Sequence, residues 1–198
     1  MPRLVIGSRN QKKLVELQDL LHDLPIELTN LSPWPNVPDV DETGASFEEN
    51  ARLKATGYAE ATGEWVLAED SGLVIPALKG QPGIYSARYA GTHGDDVANN
   101  VKLLAELALL PDDKRAAYYI CVAALASPDG EVKAMAEGRC HGVIVKEPRG
   151  AGGFGYDPLF EVPEFHRTFG ELSLRVKQAL SHRAKAVTQL RSALRNME

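Results

Sequence analysis

Cysteine is scarce in this chain. Cys121 and Cys140 are the only two in 198 residues, and they form no CxxC pair. That excludes a disulfide scaffold and a cysteine-based zinc site. Both lie in apolar or mixed strand-like stretches, where a small buried thiol is the expected role. His22, His93, His141 and His166 show no metal-ligand spacing. No apolar run approaches the ~20 residues that cross a bilayer, so no membrane partner is expected. Met1 to Ile6 lacks the apolar stretch of a secretory signal, and a cytoplasmic protein is expected. Basic residues are not in excess: the net charge of −5 argues against a general nucleic-acid binder. Repeats, low-complexity tracts and linkers are missing too. There is no GxxxxGK[ST], hence no P-loop, and no GxSxG elbow that would make Ser71 a nucleophile.

What is present is ordinary globular composition, 44% hydrophobic and 25% charged. Such a length suits one domain, 1–198, or one domain with two lobes around a shared cleft. Charge is unevenly placed. Residues 39–70 hold nine acidic and two basic side chains, whereas 171–198 hold six basic and two acidic. Solvated faces produce such asymmetry as readily as binding sites do.

Arg3–Gly7 reads as a short buried strand, followed by a helix with Leu14, Leu17, Leu20, Leu21 and Leu24 at helical spacing, stopped by Pro25. Ile26–Leu31 is a second strand. Ser46-x-x-Glu49 is a capping box opening a helix to about Thr62. Trp65–Ala68 is a strand running into a Glu69-Asp70-Ser71-Gly72 loop, and Lys79–Gly94 is loop. Asp95–Leu110 is a helix. Ala116–Ala126 and Glu131–Lys146 are long strands around a Pro128-Asp129-Gly130 turn, and Ser181–Arg195 is a terminal helix. The class is α/β with a mixed sheet and flanking helices.

Four clusters carry polar chemistry: Ser8-Arg9-Asn10-x-x-Lys13, Asp41-Glu42-Thr43-Gly44, Glu69-Asp70-Ser71-Gly72, and Gly152-Gly153-Phe154-Gly155-Tyr156-Asp157-Pro158. Lys177 and Ser181-His182-Arg183 join them. The first ends a strand and opens a helix, where exposed N–H groups and Lys13 suit a phosphate. An ordinary cap with a solvated lysine fits the same residues. Glu69 and Asp70 follow an apolar strand and cannot both enter the core without large cost. They suit Mg²⁺, with Glu42 as a further oxygen, or are solvated loop acids. Gly150–Gly155 formally matches G-x-G-x-x-G, but Tyr156-Asp157-Pro158 follows where a dinucleotide fold requires a helix. Phe154 or Tyr156 there is either a stacking face or a core aromatic.

Taken in order, these strings resemble the Ham1/RdgB-like family of non-canonical purine nucleoside triphosphate pyrophosphatases. Beyond the clusters, the resemblance includes Phe47-x-x-Asn50-Ala51-x-x-Lys54-Ala55 and Pro82-Gly83-Ile84-Tyr85-Ser86-Ala87-Arg88-Tyr89. It implies an elongated mixed sheet with flanking helices, forming two lobes around a central cleft, and a homodimer. It implies Mg²⁺-dependent hydrolysis of ITP, dITP and XTP to monophosphate and pyrophosphate. On that pattern Asp70 is the general base, and Glu42, Glu69 and Asp70 hold the metal. Ser8, Asn10 and Lys13 hold the phosphates, and Arg9 beside them either adds charge at the phosphates or alters the loop's shape. Phe154, Gly155, Tyr156, Asp157, Lys177, His182 and Arg183 surround the base, with Ser71 near the substrate. The chain departs from the bacterial pattern at Ser8-Arg9, usually Thr-Gly, and at Glu69, often Asp. A hydrolase of other altered nucleotides, or a nucleotide sensor without turnover, are the alternative readings.

Overall fold

The computed structural model describes residues 1–197. One mixed sheet has strand order β2-β1-β3-β4-β5-β6-β7. Strand β1 (Arg3–Ile6) pairs in parallel with both β2 (Glu27–Asn30) and β3 (Trp65–Val74). At the other edge, β5 (Val132–Ile144) pairs antiparallel with β6 (Phe160–Val162), and β6 with β7 (Arg167–Thr168). Strand β4 (Ala116–Ala126) joins β5 through a Ser127–Glu131 turn. Mixed α/β architecture is thus as expected. Among the described residues, no helix is long and apolar enough to cross a membrane, and neither cysteine forms a disulfide.

The chain divides into two compact units. The first comprises 1–70, 121–138 and 183–197, and the second 71–120 and 139–182. In the first, side chains alternate between two apolar layers, as the strand period of two requires. Leu4, Ile6, Leu67, Cys121, Ala123 and Leu125 face Leu14, Leu17 and Leu21 of α1 (Gln11–Leu21) and Val187, Leu190 and Leu194 of α5 (His182–Arg195). Val5, Val66, Ala68, Val122 and Ala124 face Ala51, Ala55, Tyr58 and Ala59 of α2 (Phe47–Thr62). Each buried leucine contributes about 1.5–3 kcal/mol, so this layering fixes the register firmly. Helix α2 starts where the capping box places it: Ser46 Oγ accepts from the Glu49 N–H at 3.1 Å, and Gly63, at φ 69°, closes its end.

In the second unit, α3 (Asp96–Leu107), capped by Asp95, buries Leu103 and Leu107 in a core with Leu73, Ile75, Tyr119, Phe160 and Phe169. A short helix α4 (Leu174–Leu180), capped by Ser173, was not apparent in the sequence, because seven residues give too few turns for a clear period. The Lys79–Gly94 segment contains a 3₁₀ turn at Gly83–Arg88.

One expectation is corrected. Glu69 to Gly72 is not a loop; it continues β3 without a break to Val74. Glu69 and Asp70 are both buried, at 4% and 5% exposure. The cost is met because successive residues of a strand face opposite layers, and each carboxylate finds cations in its own layer.

Candidate active site

In the layer of α1 and α5, Glu69 sits in a closed polar cluster. The Arg183 guanidinium donates to both of its oxygens, each at 2.9 Å, and Lys13 Nζ lies 3.0 Å from Oε1. The Cys121 thiol donates to Oε2 at 2.8 Å. Arg183 also pairs with Glu16, which occupies the buried face of α1 beside Leu14 and Leu17. Burial pushes the Glu69 carboxyl up, but Arg183 and Lys13 outweigh it and hold it well below the usual range. Burial, reinforced by Glu69, keeps the Cys121 thiol protonated and donating. Two acids and two bases balance here.

The layer of α2 is different. Asp70 accepts from Asn50 Nδ2 at 3.1 Å and from Lys54 Nζ at 3.2 Å, and Lys54 also donates to Glu42 at 2.7 Å. Burial raises the Asp70 carboxyl above its ordinary 3.8; Glu42 adds to the effect, and Lys54 and Lys13 offset it only in part. Burial opposes the charge on Lys54, yet Asp70 and Glu42 hold its pKa above 10.5. Two carboxylates here share the Lys54 ammonium. The structure therefore brings Glu42 and Asp70 together on Lys54 and places Glu69 on the other side of the sheet. Among the described residues, no three His, Cys, Asp or Glu side chains are arranged to hold a metal ion.

At the strand–helix junction, Asn10 Oδ1 accepts from the Lys12 and Lys13 N–H groups at 3.0 and 3.2 Å, and Ser8 Oγ from the Asn10 N–H at 3.2 Å. The junction caps its own helix, while the Lys13 side chain is held on Glu69. Arg9 points elsewhere: it donates to Asp39 at 2.7 Å and to the Val37 carbonyl at 2.6 Å, bracing the proline-rich loop.

The second unit holds the remaining residues. Asp157 Oδ2 accepts from the Phe154 N–H at 2.8 Å and from Lys177 Nζ at 2.7 Å. That ammonium lies 4.7 Å from the Phe154 ring centroid. Gly153 has φ 75°, and a Cβ there would come within 2.0 Å of Asp157 Oδ2, so glycine is required for the loop to close over the carboxylate. Gly155 is held through its N–H by Asp96 and through its carbonyl by Asn100. Tyr156 is a core aromatic, 3% exposed, with its hydroxyl donating to the Ser86 carbonyl at 2.9 Å. Turns and β6, not a helix, follow the glycines, so the G-x-G-x-x-G match is a coincidence. Ser71 is half-buried on β3, and His182 stacks on Tyr119.

Known proteins resemble this chain over nearly its whole length. The sequence matches the Ham1 family over residues 4–193. The chain belongs to the Ham1 family. A dITP/XTP pyrophosphatase of Rhodopirellula baltica is 56% identical over 93% of this chain and 88% of its own length. One from Geobacter sulfurreducens is 50% identical over 98% and 97%. Among solved structures, a HAM1 protein from Coxiella burnetii superposes with TM-score 0.90 and 42% identity over the whole of both chains. Names of this kind describe hydrolases of nucleoside triphosphates.

Within this Ham1-family chain, three site residues had no role in the sequence reading: Glu16, Asn50 and Lys54. The signal for them was available. Each is a polar residue on the apolar face of its helix, Glu16 between Leu14 and Leu17, Asn50 and Lys54 one turn apart beside Ala51 and Ala55. A buried polar group demands a partner, so such interruptions mark networks.

Proposed function

We propose that this chain hydrolyses dITP, XTP and ITP to the nucleoside monophosphate and pyrophosphate. The observation that carries the reading is Asp70, a buried carboxylate held ready to take a proton, paired through Lys54 with Glu42. Family membership supplies the reaction class.

The chemistry of the donors fits a hard divalent cation such as Mg²⁺. Glu42 and Asp70 offer carboxylate oxygens close together on Lys54, and Mg²⁺ is commonly held by one or two carboxylates with substrate phosphate. Glu69, with both oxygens engaged by Arg183, does not belong to that set. When bound, the ion neutralises triphosphate charge and polarises phosphoryl oxygens. Asp70 accepts a proton from water as the water oxygen bonds to the α-phosphorus and the bond to the β-phosphate oxygen breaks. Lys54 and Asn50 orient the Asp70 carboxylate. Lys13, itself fixed by Glu69, offers positive charge to the departing pyrophosphate. We assign Arg183 to positioning Glu69, and Arg9 to bracing its loop.

For the base, Lys177 and His182 supply donors and Phe154 an aromatic face. Donors match a 6-oxo group and oppose the amino group of adenine, and buried donors of this kind discriminate by ~10⁴ or more. The family resemblance implies a homodimer acting on the cytoplasmic nucleotide pool, and sedimentation velocity would read its mass.

The test is product identification. With Mg²⁺, XTP, dITP and ITP should yield monophosphate and pyrophosphate, while ATP turns over far more slowly. Release of orthophosphate would remove attack at the α-phosphorus.

A further inference from the structure

Tyr119 lies on β4 in the aromatic core of the second unit, 7% exposed, with its ring against Phe160 and Phe169. A phenylalanine would fill that space equally well. What tyrosine adds is a hydroxyl, and it donates to Asp157 Oδ1 at 3.3 Å. The same ring stacks on the His182 imidazole, with centroids 4.7 Å apart and planes 10° from parallel. One side chain thus touches both arms of the base-binding cluster.

We infer that Tyr119 is a specificity-determining positioning residue: its hydroxyl sets the Asp157 carboxylate, and its ring sets the plane of His182. The inference rests on the base-binding reading of Lys177 and His182 given above. Asp157 accepts from Tyr119 on Oδ1 and from the Phe154 N–H and Lys177 on Oδ2. With Oδ1 held by Tyr119, Oδ2 stays aimed at the Phe154 N–H and at Lys177. Without the hydroxyl, the carboxylate turns and Lys177 follows it. Burial keeps the phenol well above its ordinary pKa, so it remains a donor at neutral pH. Stacking likewise limits the imidazole to in-plane movement and fixes where its N–H points. Recognition of a 6-oxo group depends on those directions, whereas poor binding of an aminopurine does not.

The experiment measures kcat and KM for XTP, dITP and ATP in the full-length protein and in Tyr119→Phe and Tyr119→Leu, together with the His182 imidazole proton resonance. For Tyr119→Phe, KM for XTP and dITP should rise about tenfold, the size expected for one lost buried hydrogen bond, with kcat nearly unchanged. ATP should be unaffected, so the XTP-to-ATP preference falls by the same factor. The His182 resonance should keep its upfield ring-current shift in Tyr119→Phe and lose it in Tyr119→Leu, which should also lose more selectivity. A folded Tyr119→Phe with unchanged preference, or with equal losses on all substrates, overturns the inference. A wild-type protein that releases no pyrophosphate from XTP or dITP overturns the parent reading, and this inference with it.

Discussion

On one face of β3, Glu69 accepts from a guanidinium, an ammonium and a thiol, within a cluster whose charges cancel. On the other face, Asp70 accepts from Asn50 and shares the Lys54 ammonium with Glu42. The two residues are neighbours in sequence and almost equally buried, yet one is held well below the usual carboxylate range and the other above it. Burial penalises both alike, so the number and type of partners decide the outcome. A carboxyl held above its ordinary value is the better proton acceptor of the two. The strand's alternation gives neighbouring carboxylates different partners and, through them, different proton affinities.

Asp70→Asn tests the reactive side and should have the largest effect. Loss of a general base lowers kcat by about 10²–10⁴, with little change in KM, in steady-state assays on XTP. The same variant should melt higher than wild type at neutral pH. A carboxyl whose folded pKa is raised opposes folding when ionised, and that cost is relieved only as pH falls through the raised value. Lower activity with higher melting temperature is the signature of a residue kept for function. A variant that is both inactive and less stable would place Asp70 among the structural residues.

Glu69→Gln tests the satisfied side and should act on stability. It leaves Arg183 and Lys13 without their shared counter-charge in a buried layer, at a cost of about 3–5 kcal/mol in chemical denaturation. Because the folded pKa of Glu69 is depressed, its contribution is complete above the ordinary glutamate value of 4.5 and is lost as pH falls toward the folded value. The gap between wild type and Glu69→Gln should therefore close on acidification. A gap that widens would reverse the assignment of the two faces.

Much of this arrangement was legible in the sequence. Leu-Val-Ile at 4–6, the capping box at Ser46 and the leucine period of α1 located the layers, because long-range burial leaves a local period in each. The polar strings located the candidate residues. What alternation alone did not reveal is that Glu69-Asp70 stays in the sheet. A pair of acids after an apolar run reads as a strand end unless the cations that neutralise them are known, and those come from positions 13, 54 and 183. Arg9 meets the same limit: its neighbours suggest phosphate, while its partner Asp39 lies thirty positions away. Pairings distant in sequence have no local period to announce them.

The smallest effect should come from Cys121→Ala. The thiol is a weaker donor to Glu69 than the guanidinium or the ammonium, and its removal leaves Arg183 and Lys13 in place. Losing one hydrogen bond to a charged group whose other partners remain costs about 1 kcal/mol, readable as a shift in denaturation midpoint with unchanged slope. Turnover of XTP should match wild type, because Cys121 touches only the compensated carboxylate and not the α2 layer that holds Asp70. A matched fall in kcat would mean that the charge state of one face is transmitted through the β3 backbone to the other. The distinction between a structural and a reactive carboxylate would then have to be drawn for the pair as a unit, since each would be setting the proton affinity of its neighbour.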